Sequence, residues 1–272
     1  MTNTERIQET FGNEGSSSRS ERIARAFGGL DMSEWFTRME LDDPRRPIKV
    51  LWTSNNIPEE SKRFLNHSVD RVRFPNGNEG FHHRVELPEG VMVGHINTMG
   101  QLALVMNYRH PLGRFSVELP SGGLEPEETA RIDGAGIEER ERIYKEAALR
   151  EFREEVGVDV DPDDTYRLFG DMYNPGILRG AVSYANQSFH IFHAEGGEPV
   201  PQEHDDGEAG MLKVGRFGLD DAAEMIGFEI VDPATSTGVL KLNQEYGKHI
   251  SRSARNADRH VANRARGGLR GV

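Results

Sequence analysis

Between Gly136 and Gly157 lie twenty residues, Ile137–Val156, with no glycine or proline and an abundance of Glu, Arg, Ala and Leu. Such a run predicts one long helix, because these side chains lose little freedom on a helical backbone. Ile143, Ala147, Leu149 and Phe152 give it an apolar stripe to bury, and Gly157 stands where a left-handed C-terminal cap favours glycine. A helix of that kind needs a partner surface, and the flanking sequence supplies strands. Val91–Ile96, Leu102–Met106 and Phe115–Leu119 read as strands, the last running into Pro120-Ser121-Gly122-Gly123, which must leave a sheet abruptly. Further strands are expected at Tyr166–Gly170, Ser188–Ala194 and Met211–Val214, and helices at Asp220–Ile226 and Thr237–Tyr246. Strands, one dominant helix, more strands and then helices predict an α+β chain, a mixed sheet covered by helices.

The chain divides unevenly around that centre. Residues 1–32, rich in Ser, Gly, Glu and Arg, read as a mobile arm with a short helical possibility at Glu21–Phe27. Residues 33–90 read as a small β-rich subdomain, with apolar alternation over 69–74 and 81–87 around a turn at Pro75-Asn76-Gly77-Asn78. Residues 91–250 form the main domain, and 251–272 an arginine-rich tail with six arginines and one aspartate.

Composition narrows the chemistry. Hydrophobic residues at 36% and 30 glycines among 272 residues suffice for a sizeable core. The formal charge of −12 argues against a nucleic-acid coat, since phosphate binding is driven by Lys and Arg. With no cysteine there are no disulfides, thiolate metal sites or cysteine nucleophiles, which fits a reducing compartment. No apolar run reaches 18 residues and the N-terminus lacks an apolar signal core, so a cytoplasmic protein without membrane contact is expected.

The acidity is concentrated. From Glu118 to Asp164 sixteen acids face six bases. A charge run is ordinarily a solvated helix face, yet Glu151 and Glu155 fall one turn apart on one side of the long helix, with Glu154 beside them. Carboxylates at these spacings repel and weaken a helix unless something neutralises them. Oxygen donors of this kind suit a hard divalent cation such as Mg²⁺ or Mn²⁺.

Arg150-Glu151-Phe152-Arg153-Glu154-Glu155-Val156-Gly157-Val158, preceded by Gly122-Gly123-Leu124-Glu125-Pro126-Glu127-Glu128, resembles the Nudix hydrolase signature. Its second half matches at every defined position. The spacer from the first glutamate to the arginine is twenty-one residues here against seven in the family, so fourteen residues are inserted, around 129–142. A second register from Gly136 keeps the spacing but sets Arg142 where the first glutamate belongs. Met106–Pro111, Glu118–Gly123, Tyr173–Gly176 and Glu229–Thr235 resemble segments of the ADP-ribose pyrophosphatase-like branch, in the same order.

The resemblance implies a Nudix fold, an α/β/α sandwich with a mixed sheet, and hydrolysis of a nucleoside diphosphate sugar. It implies Mg²⁺, with Mn²⁺ as an alternative, on Glu151, Glu154, Glu155 and the Ser121 carbonyl. Arg150 would orient the glutamates. A general base would come from Glu203, Asp206 or Glu208, with Glu208 first, and His204 would play no part. Arg109 would meet substrate phosphate or form a strand-end ion pair, and Glu118 would hold a ribose hydroxyl or buttress the loop. Trp35, Phe36 or Trp52 would stack on the base or pack in the core. The branch also implies a homodimer through the N-terminal subdomain. Two rivals are a nucleotide sensor without turnover and an RNA-decapping hydrolase that grips with the basic tail.

Overall fold

The computed structural model describes residues 19–29, 36, 43–45, 65–173, 175–179, 185–203 and 211–246. Its centre is β3 (Gly90–Ile96), every residue of which is buried, as a strand covered on both faces requires. β3 runs parallel to β10 (Ser188–Glu195), whereas β4 (Gln101–Arg109) lies antiparallel to β12 (Lys213–Gly218) and β5 (Arg114–Glu118). The path β12-β4-β3-β10 continues to β8 (Thr165–Arg167), with β6 (Ser121–Gly123) on β3 and β9 (Leu178–Arg179) on β10, while β7 (Val158–Asp159) pairs separately with β11 (Glu198–Pro199). The sheet is mixed, as expected.

Each face has its own core. One face buries Leu104, Met106, Leu119, Ile191 and Leu242 among others. It is covered by α1 (Arg19–Ala26), α4 (Leu219–Glu224) and a helix, α5, through residues 233–246. The other face buries Val91, Val93, Val105 and Phe192 beneath Ala147, Ala148 and Phe152 of α3, which spans Ile137–Val156. The resulting layers are the expected α/β/α sandwich. α3 starts at Gly136 and ends at Gly157, whose φ of 71° is the left-handed cap conformation.

Besides β8, which stops at Arg167 and not at Gly170, four elements depart from expectation, each for a local reason. The fourteen-residue insertion is partly helical: α2 (Pro126–Ile132) is closed by a capping box in which Glu125 and Glu128 serve one another's backbone. Glutamate is a poor N-cap by preference, which hides this start in the sequence. The arm over 1–32 is not wholly loose. α1 buries Ile23 and Phe27, and Phe27 meets Phe217 edge-on with ring centres 5.4 Å apart. β12 begins and ends later than Met211–Val214, because Gly215, which discourages a strand reading, is where Phe27 and Phe217 crowd the backbone. α5 begins earlier than Thr237, with Asp232 accepting from the Thr235 amide at 2.6 Å and Pro233 at the first turn.

The hairpin at the N-terminal side forms as read, β1 (Asn66–Arg73) against β2 (Glu79–Glu86). It joins the main body through Asn186, which donates its amide to the Val85 carbonyl at 3.1 Å and accepts from the Leu87 amide at 3.0 Å. Among the described residues no helix is long and apolar enough to cross a membrane. The tail over 251–272 and most of 33–64 lie outside the described residues.

Candidate active site

The corner between β5 and β6 is pinned to three elements before any acid side chain is considered. Val93 donates its amide to the Pro120 carbonyl at 3.0 Å, and Leu124 donates to the Glu89 carbonyl at 3.0 Å. The Leu119 amide is 3.3 Å from the Thr235 hydroxyl of α5. The corner is therefore held against β3 and α5. At Gly122 a methyl group would displace Glu151, because a Cβ there would sit 2.0 Å from its carboxyl carbon.

Around that glycine the acids of α3 converge. Glu155 is buried and accepts from the Ser121 amide at 2.9 Å. Arg150 reaches Glu151 at 2.8 Å and Glu154 at 3.3 Å with Nη1. Its Nε and Nη2 reach Glu128 at 3.2 and 3.1 Å. Burial alone would lower the Arg150 pKa, but the bond to Glu128 and the charge of Glu151 hold it above the usual arginine value. Arg150 is therefore a permanent cation that spaces three acids. Glu128, and not Arg142, is thus the acid that faces Arg150; Arg142 turns instead to Glu139 and Glu146. The inserted residues leave and return without disturbing the first register.

Among the described residues no three His, Asp or Glu side chains form a ready-made metal nest. The donor chemistry nevertheless fits a hard cation: Glu151, Glu154 and Glu155 offer oxygen only, on the side of α3 that meets the backbone of β6.

Arg109 and Glu118 form a bidentate pair across β4 and β5. Nε lies 2.9 and 3.1 Å from the two carboxylate oxygens, and Nη2 makes a further close contact. The bond to Glu118 raises the Arg109 pKa despite burial, with Glu155 and Asp232 adding to it through space. Glu118 is buried while the Arg109 side chain is 42% exposed. The acid buttresses, and the guanidinium keeps an outer face. Asp232, which lies in the Glu229–Thr235 segment, caps α5 and stands within the field felt by Arg109, a role for which Asp-Pro before an apolar helix is the start signal.

The loop expected to supply a base begins against the end of α3. Val200 donates to the Gly157 carbonyl at 2.9 Å, Gln202 to the Glu155 carbonyl at 2.6 Å and the Glu203 amide to the Glu154 carbonyl at 3.2 Å. Glu208, Asp206 and His204 lie outside the described residues, as do Trp35 and Trp52. Phe36 packs on the first core, with the Arg114 guanidinium 5.8 Å over its ring.

Residues 87–231 match the NUDIX domain family. The methanol dehydrogenase activator of Bacillus methanolicus is 29% identical over 136 residues, half of this chain and 61% of that protein. An ADP-ribose pyrophosphatase of Bacillus subtilis (strain 168) is 26% identical over 175 residues, 64% of this chain and 82% of its own length. One of Mycobacterium tuberculosis is 29% identical over 175 residues, covering 64% and 74%. A crystal structure titled as an ADP compounds hydrolase superposes with a TM-score of 0.52 at 23% identity, over 70% of this chain and 90% of that one, and shows the shared fold.

Proposed function

This chain belongs to the NUDIX domain family and is a pyrophosphohydrolase, and on that premise we propose that it hydrolyses the diphosphate bridge of a nucleoside diphosphate sugar such as ADP-ribose. Water adds its oxygen to one phosphorus, the bridging oxygen leaves with the other, and the products are a nucleoside monophosphate and a sugar phosphate. The observation that carries this reading is the meeting of Glu151, Glu154, Glu155 and Arg150 at the backbone of Ser121–Gly123.

Mg²⁺, or Mn²⁺ in its place, would be held by Glu151, Glu154 and Glu155 with the Ser121 carbonyl, and when bound supplies charge neutralisation to both phosphates. The chain's own groups do the rest. Arg150 keeps Glu151 and Glu154 apart and oriented, drawing on Glu128 for its own position, while the Ser121 amide orients Glu155. Arg109, backed by Glu118, offers its exposed face to a phosphate oxygen. Glu208 accepts a proton from the attacking water, with Asp206 and Glu203 as the other candidates in a loop that starts beside Glu154. We further propose a homodimer through residues 33–90, and no role for nucleic acid.

The direct test is a panel of nucleoside diphosphate sugars incubated with Mg²⁺. Monophosphate release from at least one of them is expected, and its absence from all would refute the proposal. A second panel with Glu208→Gln, Asp206→Asn and Glu203→Gln assigns the base: the true one loses about 10²–10⁴-fold in turnover.

A further inference from the structure

The fourteen inserted residues hold more than a surface excursion. α2 is tied to α3 at both of its ends. At its first turn, Glu128 accepts the Glu125 amide at 2.8 Å while receiving Nε and Nη2 of Arg150. At its last turn, Arg131 lies 3.4 Å from Glu139 and 3.3 Å from Glu146. Arg142 pairs with the same two acids from within α3, at 2.7 and 2.6 Å. Ile132 seats the helix on the core beneath α3. Arg131, Glu139, Arg142 and Glu146 all lie in or beside the insertion, so the spacer carries its own fastening.

We propose that the insertion is a clasp in which Arg131 is the positioning residue that crosses from α2, with Arg142 holding Glu139 and Glu146 where Arg131 meets them: by fixing α2 the clasp fixes Glu128, and Glu128 fixes Arg150 and its carboxylates for the cation. A lid would have few ties to the helix beneath it, whereas α2 has ties at both ends. The inference rests on the cation reading of Glu151, Glu154 and Glu155 given above. Partners that orient metal ligands from behind typically change metal affinity about 10–100-fold when removed. The four clasp side chains are all 40% or more exposed, so opening the clasp leaves global stability nearly unchanged.

The test compares wild type with Arg131→Ala/Arg142→Ala, and with Arg131→Lys/Arg142→Lys as the rescue. Two quantities are read. The first is the nitrogen-15 resonance and hydrogen exchange of the Arg150 Nε–H group without metal. The second is Mn²⁺ affinity, from free Mn²⁺ counted by electron paramagnetic resonance. The alanine pair is expected to speed Arg150 Nε–H exchange and to weaken Mn²⁺ about tenfold, with the lysine pair recovering part of both. An Arg150 signal that does not move overturns the clasp, and so does a moved signal with unchanged Mn²⁺ affinity. A wild type that holds no Mn²⁺ overturns the cation reading instead, and the Arg150 signal alone then decides the clasp. Glu139→Gln/Glu146→Gln opens the same clasp from α3 and must give the same result.

Discussion

At Gly122 the missing side chain lets an acid lie directly on a strand, and the spacing around it leaves no slack. A Gly122→Ala substitution needs no unusual φ, so its cost falls on Glu151, which must move away. We expect turnover to fall about 100-fold, the scale of an ångström misplacement at a reacting centre, with a small change in melting temperature. Wild-type turnover in a folded Gly122→Ala protein would rule out the placement of Glu151. His190 tests a different kind of burial. Its Nδ1 accepts from Arg167 at 3.0 Å, so its proton sits on Nε2, and its ring stacks 3.7 Å from Tyr144. Burial, with the charges of Arg167 and Arg179, pushes its pKa down to about 3. Glu89, 3.9 Å away, does not reverse this. The unfolded chain therefore takes up the proton first as pH falls. Stability from this group is whole above about pH 6.5 and drains below it, at up to about 1.4 kcal/mol per pH unit, until about pH 3. Chemical denaturation of His190→Gln at several pH values should show a shallower loss between pH 6 and 4 than wild type. Parallel curves would contradict this assignment. At the residue scale the acids of α3 were legible because spacing alone sets them on one face. Glu128 was harder to place, since the insertion breaks the family spacing, and Asp232 was legible as part of a helix entry but its closeness to Arg109 needs the fold.

Elements were legible where one signal dominated. α3 is found from end to end, because twenty good helix formers are bracketed by two glycines, and β3 and β4 follow from apolar runs too dense to face water. α1 was legible only as a short helical possibility at Glu21–Phe27, being polar apart from a few side chains, and α2 escaped because it relies on a glutamate cap. The long helix also concentrates the energetic cost of error. Phe152 is fully buried, with the His95 ring centre 4.9 Å from its own. Phe152→Ala should destabilise the fold by about 3–5 kcal/mol, measured by urea denaturation. A loss below 1 kcal/mol would mean that α3 does not seat on the sheet as described.

The whole molecule reconciles an acidic charge with an anionic substrate. Much of the −12 is local to Glu118–Asp164, where the acids fall on the candidate cation site and its approaches. A cation between acid helix and diphosphate, as proposed, would remove the apparent contradiction. The N-terminal helix belongs to this body too: Arg19 pairs with Glu229 at 2.6 Å, and Ile23 and Phe27 are buried. Removing residues 1–29 should therefore lower the melting temperature by several degrees, on the order of 2–4 °C per kcal/mol lost. An unchanged melting curve would mean that α1 is not docked. By resemblance the intact protein should run as a dimer in sedimentation, and a monomer would refute that proposal. The central claim, that Glu155 and its neighbours hold a cation against a diphosphate bond, is tested most directly by the rate of nucleoside monophosphate release from the preferred sugar nucleotide with Mg²⁺, for wild type and Glu155→Gln. Glu155→Gln is expected to stay folded and lose at least about 100-fold in that rate; release at the wild-type rate would contradict the account.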